Sequence, residues 1–451
     1  MFTALIAQRP AGQAEVAGNT NGAGLARPEA GRTLRAAWPQ FEASWRSLTG
    51  QSEIVGSEGG CEPRVAPRAC SIRTCAWTDA HPATTLGPMS ASRPSAAVLV
   101  SGGVDSSLAL ALLAREGACD LTAFYLRIWL EDELAFLGAC PWEEDLAFVR
   151  ATTDRLGVPL EVISLQRAYH DRVVAHALDE LRAGRTPSPD LLCNSRIKFG
   201  AFLEAIGDGF DLVATGHYAR HIQPEGAPAQ LHRAPDPVKD QTYFLARLSP
   251  AQLSRARFPI GHLTKPEVRR LAADLDLPSR ARPDSQGICF LGRIPYPDFV
   301  HAHLGDAPGP IIDLTTGRTL GAHRGLWYAT IGQRKGRGLG GGPWYVVDKD
   351  PDRRALLVVH ADHLAAHARC DLEVEAIHWL SPESPELPPR GAFRWHARVR
   401  HGPALTACDV APGARPDQLR VSLAEPDAGL APGQYVVFYD GPRCLGSGVI
   451  R

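Results

Sequence analysis

The chain predicts an α/β N-terminal domain with a parallel sheet, a small mixed linker domain and a C-terminal all-β barrel domain. Three observations carry this. From about residue 95 to 215, short apolar runs alternate with stretches of helical period, the pattern of a parallel sheet with helices on both faces. The first run leads into a loop of small residues, Ser101-Gly102-Gly103-Val104, before the first helix. From about residue 303 the helical period disappears and short alternating runs lie between Gly and Pro, as in one barrel or a pair of small ones.

Taken in order, Ala96–Val100 reads as a strand, and Ser106–Glu116 as a helix ended by Gly117. Leu121–Trp129 is a strand, and Glu143–Leu156 a helix with Leu146, Val149 and Leu156 on one face. Pro159–Leu165 is a strand, His170–Ala183 a helix closed by Gly184, and Asp211–Thr215 a short buried strand. Residues 233–302 are mixed and contain a helix, Lys265–Leu275, opened by Thr264 as N-cap with Pro266 in its first turn. Strands follow at Leu356–His360, Leu372–Ile377, Phe393–Arg400, Leu419–Leu423, Tyr435–Tyr439 and Cys444–Ile450. The expected domains are therefore 95–232, 233–302 and 303–451, preceded by an extension, 1–94. That extension is rich in Ala, Gly, Ser, Pro and Arg, lacks Lys, and reads as an organelle transit segment with a spacer; a plain disordered extension or a mis-assigned start is the alternative.

Of 451 residues, 44% are hydrophobic and 22% charged, an ordinary soluble composition with ample core. No apolar run approaches the roughly 18–20 residues a membrane span needs, so no membrane partner is expected. A net charge of −1 excludes polyanion binding by bulk charge, leaving local patches. One such patch runs from Leu314 to Trp344 without Asp or Glu, carrying Arg318, Arg324, Arg334, Lys335 and Arg337 with Trp327, Tyr328 and Trp344 interleaved. Arginines and aromatic rings together suit phosphate contact and base stacking, though a solvated barrel rim has the same composition. The ten cysteines contain no CxxC pair, so neither a zinc ribbon nor a secreted disulfide scaffold is implied.

The loop Leu99-Val100-Ser101-Gly102-Gly103-Val104-Asp105-Ser106-Ser107 joins a strand to a helix N-terminus. Unpaired N–H groups and the helix dipole make such a junction an anion site. No Gly-Lys-Ser/Thr follows, so it is not a Walker A loop. It resembles the pyrophosphate loop of enzymes that adenylate a substrate with ATP, the adenine nucleotide α-hydrolase-like class. Further on, Gly184-Arg185-Thr186-Pro187-Ser188-Pro189-Asp190-Leu191-Leu192-Cys193-Asn194 leads into Ile197-Lys198-Phe199-Gly200. Its two prolines are expected to hold a rigid, non-helical loop up to Asp190, delivering a carboxylate and a thiol three residues apart. Asp284-Ser285-Gln286-Gly287-Ile288-Cys289-Phe290 supplies a second cysteine.

Together these segments resemble the tRNA-specific 2-thiouridylases (MnmA/TrmU family). The likeness continues through Ala214-Thr215-Gly216-His217-Tyr218, Lys239-Asp240-Gln241-Thr242-Tyr243-Phe244-Leu245, Thr330-Ile331-Gly332-Gln333-Arg334-Lys335-Gly336, Trp344 to Asp350, Pro432-Gly433-Gln434 and Cys444 to Gly448. It covers roughly residues 95–451.

The resemblance implies ATP-dependent 2-thiolation of the wobble uridine, U34, in tRNAs of the Lys, Glu and Gln type. ATP is the implied nucleotide, with Mg²⁺ as its expected partner. Leu99, Val100, Ser101, Gly102, Gly103, Val104, Asp105 and Ser106 would hold the pyrophosphate, and Leu126 and Gly216 would frame adenine and ribose. Cys289 would carry a persulfide, Cys193 would act as nucleophile and close a Cys193–Cys289 disulfide, and Asp190 would be the general acid/base. Ser188, Pro189, Asp190, His217, Lys239, Asp240, Gln241, Arg400, His401 and Gln434 would meet the tRNA. Ser188 stands where the family usually has Asn, which removes an amide contact. No metal site in the protein is implied, and the sulfur donor would be a cysteine desulfurase or a sulfur-relay protein.

Trp129-Leu130-Glu131-Asp132-Glu133 and Cys140-Pro141-Trp142-Glu143-Glu144-Asp145 resemble the cyanobacterial and plastid branch, which with the extension points to a chloroplast; mitochondrion and cytoplasm are the alternatives. Two rival readings stay open: another adenylating enzyme with the same loop, and a tRNA-binding protein without catalysis.

Overall fold

The computed structural model describes residues 93–128, 142–284, 295–334 and 338–451. Its first sheet begins with β1 (Ser95–Leu99), whose apolar residues are buried on both faces. Then come α1 (Val104–Glu116), β2 (Asp120–Arg127), α2 (Trp142–Leu156) and β3 (Leu160–Ser164). A helical stretch, α3, covers 166–182, and another, α4, covers 189–206. β4 (Leu212–Thr215) follows. A hairpin, β5 (Ala219–Ile222) and β6 (Gln230–Arg233), then precedes α5 (Thr242–Leu245), α6 (Pro250–Arg255) and β7 (Ala256–Arg257).

The sheet is parallel, in the order β3-β2-β1-β4-β7, with Ala97 opposite both Thr122 and Val213. Alternation splits its side chains between two cores. Ala97, Leu99, Phe124 and Val213 pack with α3 and α4, while Val98, Val100, Ala123 and Ala214 pack with Leu110, Leu146 and Val149 from α1 and α2. The chain winds outward from β1 to β3 and then returns to place β4 on the other side of β1. That reversal opens a crevice at the carboxyl ends of β1 and β4, where sheets of this kind bind ligands.

Helix α7 (Lys265–Asp274) has the expected start: Thr264 and Glu267 form a reciprocal capping box. After α8 (Tyr296–Leu304) the structure is β-rich. β8 (Gly309–Asp313), β9 (Thr319–His323), β10 (Trp344–Asp350) and β11 (Ala355–His360) form a four-stranded mixed sheet. β12 (Arg369–Trp379), β13 (Trp395–Arg398), β14 (Thr406–Pro412), β15 (Leu419–Asp427), β16 (Tyr435–Asp440) and β17 (Arg443–Ile450) form an antiparallel barrel, closed by pairing of β12 with β17. The hairpin β5–β6 joins this same sheet, with Arg443 opposite His232 and Cys444 opposite Leu231.

Several expectations are corrected. The loop before Cys193 is not free of helix up to Asp190: a helix starts at Pro189, because a proline at N1 gives up only an N–H with no intrahelical partner. The helix expected from His170 begins at Gln166 and passes through a π-helical segment, His170–Val174. β8, β9, β10 and β14 were not foreseen. The run from Phe393 forms a strand only over Trp395–Arg398, since Phe393 has a φ of +42°. Trp129 lies outside the described residues, and β2 ends at Arg127.

One ion pair joins the two halves. Asp240 Oδ2 accepts from Arg398 at 2.5 Å, and neither side chain has solvent exposure. The Asp240 carboxylate also accepts from Ala234 N and Thr242 Oγ1, and the Arg398 guanidinium lies 5.1 Å from the Tyr439 ring centroid. Removing one partner of such a pair strands a buried charge. Arg398→Met is expected to destabilise the fold by about 3–5 kcal/mol, and Asp240→Leu/Arg398→Met by much less. Urea unfolding of the three proteins checks this; equal losses in the single and double variants would refute it.

Candidate active site

The loop after β1 is built for an anion. Gly103 is the N-cap of α1 and brings no side chain to satisfy the first-turn N–H groups. Ser106 Oγ instead braces the loop, accepting from Ser101 N at 3.1 Å and donating to Gly103 O at 3.2 Å. Gly102 has a φ of +76°, and a Cβ there would lie 2.5 Å from the Asp145 carbonyl oxygen. Gly216, just past β4, backs onto the same helix end: its Cβ would lie 2.6 Å from Ser106 N. Leu126 stands near the end of β2, beside Ile163 of β3, and packs into the core. The residues expected around a nucleotide, Leu99 to Ser106 with Leu126 and Gly216, thus converge on the carboxyl ends of three neighbouring strands.

A charge network surrounds this loop that the sequence did not disclose. Asp105 accepts from Tyr218 OH at 2.8 Å and from Lys265 Nζ at 2.7 Å. Lys265 also pairs with Asp284 at 2.8 Å, and Asp284 takes Lys239 at 2.6 Å and Arg269 as well. Burial alone would raise the Asp284 pKa; hydrogen bonds from Lys239 and Lys265 outweigh it and hold the carboxyl well below the usual range. Arg282 donates to Gly102 O at 3.0 Å and to Asp145 at 2.7 Å, lying 4.5 Å from the Phe148 ring centroid. Asp284 opens the segment that carries Cys289. Cys289 itself lies outside the described residues, as do Lys335 and Arg337 of the basic patch.

Cys193 is buried at the C-cap of the short helix Pro189–Leu192, with Ser188 and Asp190 also buried beside it. It begins a π-helical segment, Cys193–Ala201. Gln252 Nε2 donates to the carbonyls of Ser195 and Phe199 at 2.9 and 2.7 Å, satisfying oxygens within this widened stretch. Nothing in the local sequence announces it, because the amide comes from α6.

The residues expected to meet tRNA divide by burial. Lys239 is partly exposed but turned to Asp284, and the Gln241 side chain accepts from Tyr218 N at 2.9 Å. Asp240 is buried and committed to Arg398. Gln434 is likewise internal: it donates to the carbonyls of Thr186 and Pro187 at 3.1 and 3.0 Å, so the barrel grips the loop that leads to Cys193. His217 is buried with Nδ1 2.7 Å from Thr215 Oγ1; burial first, then the Lys198 charge, keeps it neutral. Arg400 pairs with Asp427, and His401 stacks 4.5 Å from Phe244. Asp240, His217 and Gln434 are buried, whereas Arg400 and His401 are half-buried. In the basic patch, Arg318, Arg324 and Arg334 are exposed, whereas Trp327 and Trp344 spend their N–H groups on the carbonyls of Gly305 and Gly340.

A family model described as the tRNA methyl transferase HUP domain matches residues 95–293. Its PRC-barrel domain matches 297–360, and an aminomethyltransferase beta-barrel domain matches 369–450. The tRNA-specific 2-thiouridylase MnmA of Porphyromonas gingivalis is 44% identical over 364 residues, spanning 78% of this chain and 98% of that protein. This chain belongs to the tRNA-specific 2-thiouridylase family. The Parabacteroides distasonis member is 43% identical over 360 residues, covering the same shares of each chain. The HUP match accounts for the parallel sheet with its nucleotide-type loop, and the two barrel matches for the β-rich half of this 2-thiouridylase-family chain.

Gly216→Ala is expected to raise the Kd for ATP about ten- to a hundredfold, because the new methyl must displace the helix end. Calorimetric titration checks it, and unchanged affinity would refute the assignment of this crevice. A second expectation concerns pH. His221 and His401 are both pushed down to about 4 from 6.5, chiefly by burial, so the unfolded chain binds more protons than the folded one below about 6.5. Stability is intact above that pH and falls as pH drops towards about 4. Thermal melts across this window should show the fall, and His221→Gln/His401→Gln should flatten it.

Proposed function

We propose that this protein is a tRNA 2-thiouridylase that uses ATP to replace the C2 oxygen of U34 with sulfur. The observation that carries this reading is the uncapped helix end at the β1–β4 crevice, on the same sheet that supports the helix bearing the buried Cys193. A uridine C2 oxygen is a poor leaving group. Attack of that oxygen on the α-phosphate of ATP forms an O–P bond, releases pyrophosphate and makes AMP the leaving group. The N–H groups of α1 and the hydroxyl of Ser101 suit the charge that gathers on pyrophosphate. Among the described residues no cluster of three His, Cys, Asp or Glu could hold a metal, and Asp105 is already engaged by Lys265. Mg²⁺ carried on the nucleotide's own phosphates would add charge neutralisation there.

In the sulfur half, Cys289 carries a persulfide supplied by a cysteine desulfurase or relay protein. The Cys193 thiolate attacks its inner sulfur, forming the Cys193–Cys289 disulfide and expelling hydrosulfide. Hydrosulfide bonds to C2, the C2–O bond breaks and AMP leaves with the electron pair. An external thiol reductant then supplies two electrons to restore both cysteines. Asp190, beside Cys193, exchanges the protons. Acceptors of the Lys, Glu and Gln type are part of this proposal. So is a chloroplast destination for the extension, supported by its composition and by the acidic Trp129–Glu133 segment; import of residues 1–94 fused to a fluorescent reporter tests it.

The central test is thiolation of unmodified tRNA-Glu transcript with ATP, Mg²⁺ and sulfide, read on a mercury gel. A shifted band that requires ATP is expected. AMP without a shift would indicate another adenylated substrate, and methylated product would restore the reaction in the family model's description. Neither AMP nor a shift would leave tRNA binding alone.

A further inference from the structure

Arg282 grips the nucleotide loop from a distant part of the chain. One arm of its guanidinium, Nη1, donates to the Gly102 carbonyl at 3.0 Å, and the other, Nη2, donates to Asp145 Oδ1 at 2.7 Å. The guanidinium carbon lies 4.5 Å from the Phe148 ring centroid, and the side chain is only 20% exposed. Asp145 and Phe148 both belong to α2. The Arg282 backbone is fixed as well, because Arg269 of α7 donates to its carbonyl at 2.5 Å. Two residues on, Asp284 pairs with Lys265, which donates to Asp105. The stretch 282–284 thus holds the loop and the helix turn behind it at two points, Gly102 and Asp105.

The hold on Gly102 falls on a peptide with two accessible orientations. Turning the Gly102–Gly103 peptide over changes ψ of Gly102 and φ of Gly103 and leaves the flanking chain in place. Gly103 stands at φ −77°. The reversed peptide would carry it to roughly +100°, a value open to glycine and costly for any side chain. Glycine on both sides therefore leaves the choice to an outside contact. A trans peptide is planar, so its carbonyl and its N–H point in opposite directions. Drawing the Gly102 oxygen onto Arg282 turns the Gly103 N–H the other way. The Ser101 N–H is already spent on Ser106 Oγ at 3.1 Å, which leaves the anion to the N–H groups that follow. A left-handed residue, here Gly102 at φ +76°, followed by N–H groups at a helix start is the backbone pattern that closes around anions. The reversed peptide would set a carbonyl oxygen among those donors and repel the same anion.

We propose that Arg282 is a positioning residue for the pyrophosphate end of ATP: it draws the Gly102 carbonyl aside and so presents the Gly103 N–H to the phosphates. The inference rests on the reading of the β1–β4 crevice as the ATP site. Arg282 acts through the peptide it holds and needs no contact with the nucleotide. Its forked guanidinium serves the Gly102 carbonyl and Asp145 together while lying against Phe148, a combination that a lysine ammonium does not reproduce. The sequence gives no sign of the contact, because 180 residues separate Arg282 from Gly102.

The test titrates wild type, Arg282→Met and Arg282→Lys of the full chain with ATP, inorganic pyrophosphate and AMP in a calorimeter, with Mg²⁺ throughout and thermal melts alongside. Arg282→Met is expected to weaken ATP and pyrophosphate about ten- to a hundredfold, the scale of one hydrogen bond from a charged group. AMP lacks the two phosphates at issue and should bind within about threefold of wild type, which also reports a folded crevice. Arg282→Lys should recover part of the affinity for ATP. If Arg282→Met melts below the working temperature, Arg282→Lys is read for the same split between pyrophosphate and AMP. Affinities for ATP and pyrophosphate within about threefold of wild type would overturn the proposal. Equal losses for AMP and pyrophosphate would also overturn it, since they mark a general loosening of the crevice. Wild type that binds neither ATP nor pyrophosphate would overturn the parent reading of the crevice, and this proposal with it.

Discussion

The position of every group at the candidate site depends on how the α/β half meets the barrel, and one buried ion pair governs that meeting. Asp240 and Arg398 are shielded from water, so neither can exchange its partner for solvent. An apolar pair of the same volume could match their stability, but a directional bond also fixes the angle of approach. The consequence reaches Cys193 through backbone: with the barrel seated, Gln434 holds the carbonyls of Thr186 and Pro187, and the helix beginning at Pro189 follows. The thiol is thus positioned from outside its own domain.

Around the nucleotide loop the electrostatics follow a different rule. Lys239, Lys265, Arg269 and Arg282 are matched by Asp105, Asp145 and Asp284, so the approach is rigid and close to neutral. A neutralised rim does not hold a polyanion indiscriminately. Recognition of phosphate then falls to groups that remain unmatched, the N–H groups at the start of α1. This division separates scaffolding charge from charge available for chemistry.

Much of the α/β half was legible because its buried strands are short apolar runs and its helices carry a single apolar face. Ala96–Val100 and Glu143–Leu156 fall within a residue or so of β1 and α2 for that reason. The barrel was less legible. β10 and β14 mix charged or small residues with apolar ones, so neither reads as a strand until its neighbours are known. The nucleotide loop was readable from Ser101 to Ser107, but its partner Lys265 lies 160 residues from Asp105 and looked like an ordinary first-turn residue. The π-helical turn was invisible because Gln252, which serves its carbonyls, comes from another helix. Arg398 defied the expectation that arginine stays at the surface, since only the position of Asp240 makes its burial tolerable.

The hairpin β5–β6 precedes the partner that completes it by about half the chain. His232 sits opposite Arg443, yet some two hundred residues separate them. A ribosome adding about 5–20 residues per second would expose that edge for tens of seconds before β17 emerges. During synthesis an unpaired strand edge must therefore stay soluble. The order of translation thus sets a window in which this protein is exposed to misassembly, and the synthesis of β17 closes it.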